Sequence, residues 1–279
     1  MKHIKTVGEM AKVAGELKCS GLTIGFVPTM GYLHEGHLSL IRRAKKECDY
    51  ALVSIFVNPS QFGPQEDFSN YPRDMEGDLA KCRHEDVKVV FTPEAGDIYP
   101  DGFSTSIEVG KVSEGLCGAL RPGHFRGVAT VVTKLFNIIR PDKAYFGQKD
   151  FQQTLVVKKL AADLNLQTEI VVAPTVREPD GLAMSSRNAY LTQQERAAAA
   201  KIYRSLASAR SLRESGERRP DVLEQKVRGS LTEEPLIKVE YVSVVDPEGD
   251  KILRNVRDGA VIAAAVRIGR TRLIDNIVI

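Results

Sequence analysis

Short apolar, β-branched runs alternate with helical patterns through the first two thirds of the chain. The runs are continuous rather than alternating apolar and polar, which indicates strands buried on both faces. Five strands are predicted in this part, over residues 22–27, 50–57, 87–91, 143–146 and 168–172. Helices are predicted between and after them, over residues 36–48, 74–84, 125–139 and 151–164. Such alternation implies right-handed crossovers, so we predict an α/β fold with an open parallel sheet and helices on both faces.

The pattern changes near residue 188. A long helix is predicted over 192–214, because Thr192 and Glu195 at its start have the spacing of a capping box. The elements predicted after it are a helix over 220–231 and strands over 237–245, 260–266 and 271–279. We therefore expect two domains, a sheet domain over 1–182 and a smaller α+β domain over 183–279.

Composition excludes several classes of protein. The 279 residues carry a net charge of only +3, with the two signs mixed, which does not indicate a nucleic-acid binder. The four cysteines form no CxxC pair, which argues against a structural zinc site. No apolar run approaches the ~20 residues that a membrane span needs. The first stretch, residues 1–19, has the pattern of an amphipathic helix rather than a signal peptide, so we expect a cytoplasmic protein.

The segment 28–37 (PTMGYLHEGH) follows the first predicted strand and opens the next helix. Ligands of open α/β sheets bind beyond the carboxyl ends of strands, and a helix N-terminus offers free N–H groups to phosphate. His34 and His37 fall on one face of the first helical turn, where two imidazole donors suit an α-phosphate under attack. A zinc HExxH motif needs a longer histidine spacing. The remaining alternative is a loop with two surface histidines.

Two more polar loops follow predicted strands. Residues 58–63 (NPSQFG) come after the second strand and can present amides to a small polar substrate. Residues 146–150 (FGQKD) open a helix, and Lys149 can offer a point charge to phosphate. Taken alone, residues 58–63 are a weak signal, since turns follow most strands. For residues 146–150 the alternative is a helix N-cap by Asp150.

A fourth segment, Met184-Ser185-Ser186-Arg187, lies near the predicted domain boundary. Glycine and proline in residues 178–181 (EPDG) bound this stretch. Hydroxyl groups and an arginine on a flexible segment fit a clamp over a triphosphate. Alone, however, the tripeptide SSR at 185–187 occurs widely by chance.

Together these motifs resemble one known family. HEGH at 34–37 is similar to the HIGH motif of the nucleotidyltransferase superfamily, and MSSR at 184–187 is similar to its KMSKS counterpart. The chain resembles the pantothenate synthetase family over its whole length. The motifs that carry this resemblance, in order, are PTMGYLHEGH, FVNPSQF, YPRD, RPGHFRGV, YFGQKDFQQ and MSSRN.

The resemblance implies a reaction and an architecture. The reaction is the ATP-dependent condensation of pantoate with β-alanine through a pantoyl-adenylate, which belongs to pantothenate and coenzyme A synthesis. The architecture is a Rossmann-type N-terminal domain with a smaller C-terminal lid domain, assembled as a homodimer. The resemblance further implies Mg²⁺ with ATP and no tightly bound organic cofactor. Pantoate, β-alanine and ATP are then the only partners, with no nucleic acid and no membrane.

The resemblance also implies roles for single residues. The family's catalytic histidine falls on His37, and His34 joins it at the phosphates. Gln61 and Gln153 are expected to bind pantoate, and Gln61 also β-alanine. The residues expected to bind ATP are Met30, Gly31, Tyr32, Leu33, His34, Glu35, Gly36, His37, Gly147, Gln148, Lys149, Asp150, Val176, Met184, Ser185, Ser186 and Arg187.

Two positions need separate mention. Asp78 is expected to help hold Mg²⁺. Gln148 stands where some family members carry an acidic residue, so a role for a carboxylate at that position does not transfer to this chain.

Three other functions fit parts of the sequence. A cytidylyltransferase shares the HxGH-type loop but transfers CMP to a phosphorylated alcohol, and pantoate-dependent pyrophosphate exchange separates it from a ligase. A tRNA synthetase is disfavoured, because no anticodon-binding or basic module is left over. A nucleotide-binding sensor without turnover would have little use for two histidines, a lysine and an arginine around one phosphate site.

Overall fold

A parallel sheet with helices on both faces forms the first part of the molecule, as the sequence predicts. The computed structural model describes residues 1–248, 253 and 255–279. The strands of this sheet are β1 (Lys2–Ile4), β2 (Ile24–Thr29), β3 (Tyr50–Ile55), β4 (Val89–Phe91), β5 (Lys143–Gly147) and β6 (Glu169–Ala173). They are parallel and lie in the order β1-β4-β3-β2-β5-β6. From β2 the chain moves outward through β3 to β4, then returns to β5 on the other side, which makes the gap between β2 and β5 the topological switch point.

Helices cover both faces because each buried strand has apolar side chains on both sides. One face packs against α1 (Val7–Cys19), α6 (His124–Ile139) and α7 (Phe151–Asp163), and the other against α2 (Glu35–Glu47) and α3 (Met75–His84). Two short helices, α4 (Ala95–Ile98) and α5 (Leu116–Leu120), lie in the connections. On β2, Phe26 meets Phe136 of α6 edge-on at 6.3 Å, while its neighbour Val27 belongs to the core on the α2 side.

The last part of the chain has its own core. Its elements are α8 (Gln193–Ala199), α9 (Lys201–Glu214), α10 (Pro220–Thr232), β7 (Ile237–Val245), β8 (Val261–Ile268) and β9 (Thr271–Val278). The strands form an antiparallel sheet in the order β7-β8-β9, and the helices pack against it. This confirms the predicted α+β tail. Leu182 already packs in this core, and the domain boundary after residue 182 stays a prediction.

Two predicted helices differ from the structure. The helix predicted over 1–19 is wrong at its start, because Lys2–Ile4 pairs with β4 as an edge strand of the sheet. Three residues with only Ile4 buried are too short to give a strand pattern. The helix predicted over 192–214 is interrupted at Ala200, although its predicted capping box is present, with Glu195 accepting from the Thr192 N–H at 2.9 Å.

Pro28 lies inside β2, one residue beyond the strand predicted over 22–27. Parallel strands bond alternate residues to opposite neighbours, and Thr29 accepts from the Phe56 N–H on the β3 side at 3.0 Å. The position of the missing Pro28 N–H therefore faces β5. Pairing between β2 and β5 has already ended there, at Phe26 and Ala144, so no ladder bond is lost.

Two further observations concern the classes of protein that the composition argues against. The four cysteines are free, with Cys82 and Cys117 buried. Within the described part of the chain, no helix is long and apolar enough to cross a membrane.

Candidate active site

A cleft of about 220 Å³ opens at the carboxyl edge of the parallel sheet. It lies at the switch point, where the loops after β2 and β5 diverge. All four segments singled out in the sequence reach it. The predicted site residues that line the cleft are Met30, His34, Gly36, His37, Gln61, Gly147, Lys149, Asp150, Gln153, Val176, Met184, Ser185, Ser186 and Arg187.

The loop between β2 and α2 is fixed from below by Asp78. This carboxylate is 1% exposed and accepts the backbone N–H groups of Tyr32 and Leu33, both at 2.7 Å. Burial raises the pKa of Asp78, while the two N–H donors oppose that shift. Gly31 has φ +85°, and a Cβ there would lie 3.0 Å from the carboxylate. Both oxygens of Asp78 thus hold the loop, an arrangement that does not favour the expected role as an Mg²⁺ ligand.

His34 and His37 lie against each other at the N-terminus of α2, with ring centroids 4.1 Å apart and ring planes inclined by 37°. The His34 backbone N–H donates to Nδ1 of His37 at 3.3 Å. Because Nδ1 accepts, a neutral His37 carries its proton on Nε2 and offers it as a donor. Gly36 makes room for this arrangement, since a Cβ there would lie 2.9 Å from the His34 ring.

Both imidazoles are neutral near pH 7. Burial, followed by the charge of Lys149, lowers the pKa of His34 to about 4. The pKa of His37 lies well below its usual value, because of burial first and then of His34, Lys149 and Lys81. Part of each ring still faces the cleft. The site therefore presents neutral donors beside lysine charges, an arrangement suited to an anion.

The opposite side of the cleft combines amides with an apolar wall. Gln61 is buried, accepts from Asn58 Nδ2 at 3.1 Å and donates to Met30 Sδ at 3.0 Å. Gln153 lies on the first turn of α7 and lines the cleft. Its side chain makes no hydrogen bond to any residue that the structure describes. The apolar wall comes from α6: Val128, Val131, Val132 and Leu135. Such a surface fits a small molecule with both apolar carbon and polar groups.

Arg121 and His124 also line the cleft, and neither was among the predicted site residues. Arg121 makes a two-pronged ion pair with Glu66 at 2.7 and 2.6 Å and contacts Nε2 of His124 at 2.9 Å. Burial and then Arg121 lower the pKa of His124 to about 4. A neutral His124 accepting at Nε2 donates from Nδ1 to the Gln61 carbonyl, 2.8 Å away. The sequence motif RPGHF contains Arg121 and His124, but it does not show their partners, which are Glu66 and the Gln61 carbonyl.

The 184–187 segment is docked against the N-terminal part of the molecule. Arg187 makes a two-pronged ion pair with Asp67 at 2.8 and 2.9 Å, and its guanidinium lies 5.3 Å from the Tyr71 ring centre. The Ser186 hydroxyl donates to the Tyr32 carbonyl at 3.3 Å. These contacts close one side of the cleft.

Several predicted ATP-binding residues do not line the cleft with their side chains. Glu35 points outward and pairs with Arg42, and Gln148 points to Asn276 in the C-terminal sheet. Gly31, Tyr32 and Leu33 belong to the anchored loop and are absent from the lining.

Asp150 stands at the N-cap position of α7, but its side chain makes no capping hydrogen bond. Its carboxylate lines the cleft instead, with Lys149 Nζ at 3.5 Å. It is the only carboxylate among the described residues of the cleft lining. Over the same described residues, no cluster of three or more potential metal ligands is present.

Comparisons with known proteins agree over nearly the full chain. A family model for pantoate-beta-alanine ligase matches residues 2–278. Pantothenate synthetase of Thermosipho africanus is 52% identical over 279 residues, covering 100% of both chains. That of Heliobacterium modesticaldum is 54% identical, covering 100% of this chain and 99% of the relative.

Solved structures give the same result. Pantothenate synthetase from Thermus thermophilus superimposes with a TM-score of 0.93 at 42% identity, covering 99% of each chain. The pantoate-beta-alanine ligase of Francisella tularensis, solved with beta-gamma ATP and beta-alanine, gives a TM-score of 0.83 at 38% identity, covering 100% of this chain and 97% of that one. The matched family model, the high identity and the shared fold lead to one conclusion: this chain belongs to the pantoate-beta-alanine ligase family.

Proposed function

We propose that the chain condenses pantoate with β-alanine, using ATP, to give pantothenate, AMP and pyrophosphate through a pantoyl-adenylate. The observation that supports this best is the composition of one cleft. A helix N-terminus with two neutral imidazoles and Lys149 lies beside uncharged amides and an apolar wall. The first set suits a triphosphate, and the second suits a small hydroxy acid with a branched apolar carbon.

In the first step, a pantoate carboxylate oxygen attacks the α-phosphorus and the bond to the β-phosphate breaks. Negative charge grows on the α-phosphate oxygens and on the departing pyrophosphate. His37, donating from Nε2, and His34 stabilise the α-phosphate, and Lys149 adds a positive charge. These groups are held in place before the reaction, which is how electrostatic stabilisation lowers a barrier.

Gln61 and Gln153 are proposed to orient pantoate. Gln61 is held by Asn58 and by the His124 contact to its backbone carbonyl. Amides suit hydroxyl and carboxylate groups because they donate and accept without adding charge. The dimethyl carbon of pantoate would pack on the apolar wall of α6. This arrangement holds the carboxylate near the α-phosphorus.

In the second step, the β-alanine amine attacks the acyl carbon of the adenylate. The bond between that carbon and the AMP oxygen breaks, AMP departs and the amine releases a proton. No protein side chain needs to form a covalent bond. Arg187 and the 184–186 segment are proposed to contact the phosphates and to keep water from the adenylate.

The metal and the assembly are proposed from the resemblance to the family. Mg²⁺ would arrive as part of MgATP, and Asp150 is the cleft carboxylate able to contact it, since Mg²⁺ is usually held by one or two carboxylates and the substrate phosphates. No organic cofactor is proposed. We further propose a homodimer in the cytoplasm, which light scattering and cell fractionation test.

Omitting each substrate in turn tests the reaction. Purified protein with ATP, Mg²⁺ and pantoate should release about one pyrophosphate per active site and then stop, because the adenylate stays bound. Adding β-alanine should give continuous AMP release, measured by chromatography. The control replaces ATP with CTP and pantoate with a phosphorylated alcohol, which are the substrates of a cytidylyltransferase. Formation of ADP and phosphate would contradict an adenylate.

Replacing His37 tests the neutral donor. His37→Ala should slow the first step by about 10²–10³, the usual cost of losing one such donor. In the wild type, the rate of pyrophosphate release should stay level between about pH 6 and pH 8, because the pKa of His34 is about 4 and that of His37 is also depressed. His84→Ala, on the exposed end of α3, is the control. A rate that titrates near the ordinary histidine pKa would refute this role.

Two adjacent glutamines give a matched test of pantoate binding. Gln153→Ala should raise the KM for pantoate by roughly 10- to 100-fold, as expected for one hydrogen bond to a charged group, and leave the KM for ATP nearly unchanged. Gln152 instead accepts from the Cys117 N–H at 2.9 Å and donates to the Gly115 carbonyl at 2.7 Å. Gln152→Ala should therefore lower the urea midpoint without this KM effect. A KM increase for ATP alone in Gln153→Ala would exclude the assignment.

A further inference from the structure

Asn276, on β9 of the C-terminal sheet, reaches the turn that carries Lys149. Its side chain is buried, and Nδ2 donates to the carbonyl oxygens of Gln148 at 3.0 Å and Lys149 at 2.9 Å. Oδ1 accepts from Gln148 Nε2 at 3.2 Å. Two carbonyl oxygens can be met only by the nitrogen of the amide, so these contacts fix the orientation of both side chains.

The neighbouring residue extends the contact to a second cleft segment. Asp275 is 3% exposed and pairs with Arg177 through two bonds, at 2.6 and 2.9 Å. Arg177 also donates to the Gly181 carbonyl at 3.1 Å, and its guanidinium lies 4.0 Å from the Tyr203 ring centre. It stands just before the 178–187 stretch. Two consecutive residues of β9 thus hold the segments on either side of the proposed triphosphate site.

The turn at 147–150 needs such an external support. Asp150 occupies the N-cap of α7 without a side-chain capping bond, so the helix start is not fixed in the usual way. The Asp150 carboxylate is directed to the cleft instead. Lys149 is a long, flexible side chain, and its aim depends on where its backbone is held. The amide of Asn276 supplies that restraint from the other sheet.

We propose that Asn276 is a positioning residue for the first step: its amide holds the backbone of Gln148 and Lys149, and so aims the Lys149 ammonium at the nucleotide phosphates. This rests on the role of Lys149 in the proposed function. The C-terminal sheet would then act on the chemistry through two hydrogen bonds to the backbone of the phosphate-binding turn.

Two substitutions separate the donor from the volume of the side chain. Asn276→Asp keeps the size and can still accept from Gln148, but it faces the two carbonyl oxygens with a carboxylate oxygen. Asn276→Ala removes the contact altogether. Both should lower kcat/KM for ATP in the first step, by up to about 10²-fold, which is the cost of a small misplacement. The KM for pantoate should change little.

Ser205→Ala is the matched control for stability. Ser205 is also buried in the C-terminal part and bonds Ser230 at 2.9 Å, away from the cleft. Its substitution should lower the urea midpoint about as much as Asn276→Ala but leave kcat/KM for ATP unchanged. If Asn276→Ala lowers only the midpoint, or if Asn276→Asp has wild-type kinetics, the positioning role is wrong.

A double substitution tests whether the effect passes through Lys149. In a Lys149→Ala background, Asn276→Ala should cause little further loss in kcat/KM for ATP, since coupled residues are non-additive. Full additivity would overturn the inference. The outcome is separable from that of the proposed function: a wild type without pantoate-dependent pyrophosphate release refutes the reaction itself, and a normal Lys149→Ala protein refutes the role of Lys149. A slow Lys149→Ala beside a normal Asn276→Ala refutes the positioning role alone.

Discussion

The buried carboxylate of Asp78 holds the loop on which the cleft is built. By accepting the N–H groups of Tyr32 and Leu33, it fixes the path from β2 into α2. That path brings His34 and His37 to a helix N-terminus at the switch point of the sheet, where ligands of open α/β sheets bind. The other loops reach the same edge because the strands are parallel. Loss of this one support would release His34 and His37 together.

Much of the fold could be predicted from the sequence, because strands buried on both faces leave continuous apolar runs. Edge strand β1 could not, since only Ile4 of its three residues is buried and pairing with β4 is a long-range event. Three of the four cleft segments could be placed because each follows a strand. The resemblance added roles for their residues, and those roles remain proposals.

The parts of the site that depend on distant partners escaped prediction. The role of Arg121 and His124 depends on Glu66 and on the Gln61 carbonyl, which lie more than fifty residues away in sequence. Asp78 was expected to hold a metal, yet its burial and its two backbone donors indicate support of the loop. Nothing in the local sequence shows that Gln148 faces the C-terminal sheet.

The path of one oxygen atom tests most directly whether the acid reacts with the α-phosphorus of ATP in this cleft. Pantoate labelled with ¹⁸O in its carboxylate should be incubated with ATP, Mg²⁺ and β-alanine, and the products analysed by mass spectrometry. If the carboxylate attacks the α-phosphorus and the amine then displaces AMP, the AMP formed carries one ¹⁸O from the acid. Label in inorganic phosphate, or unlabelled AMP, would contradict an adenylate.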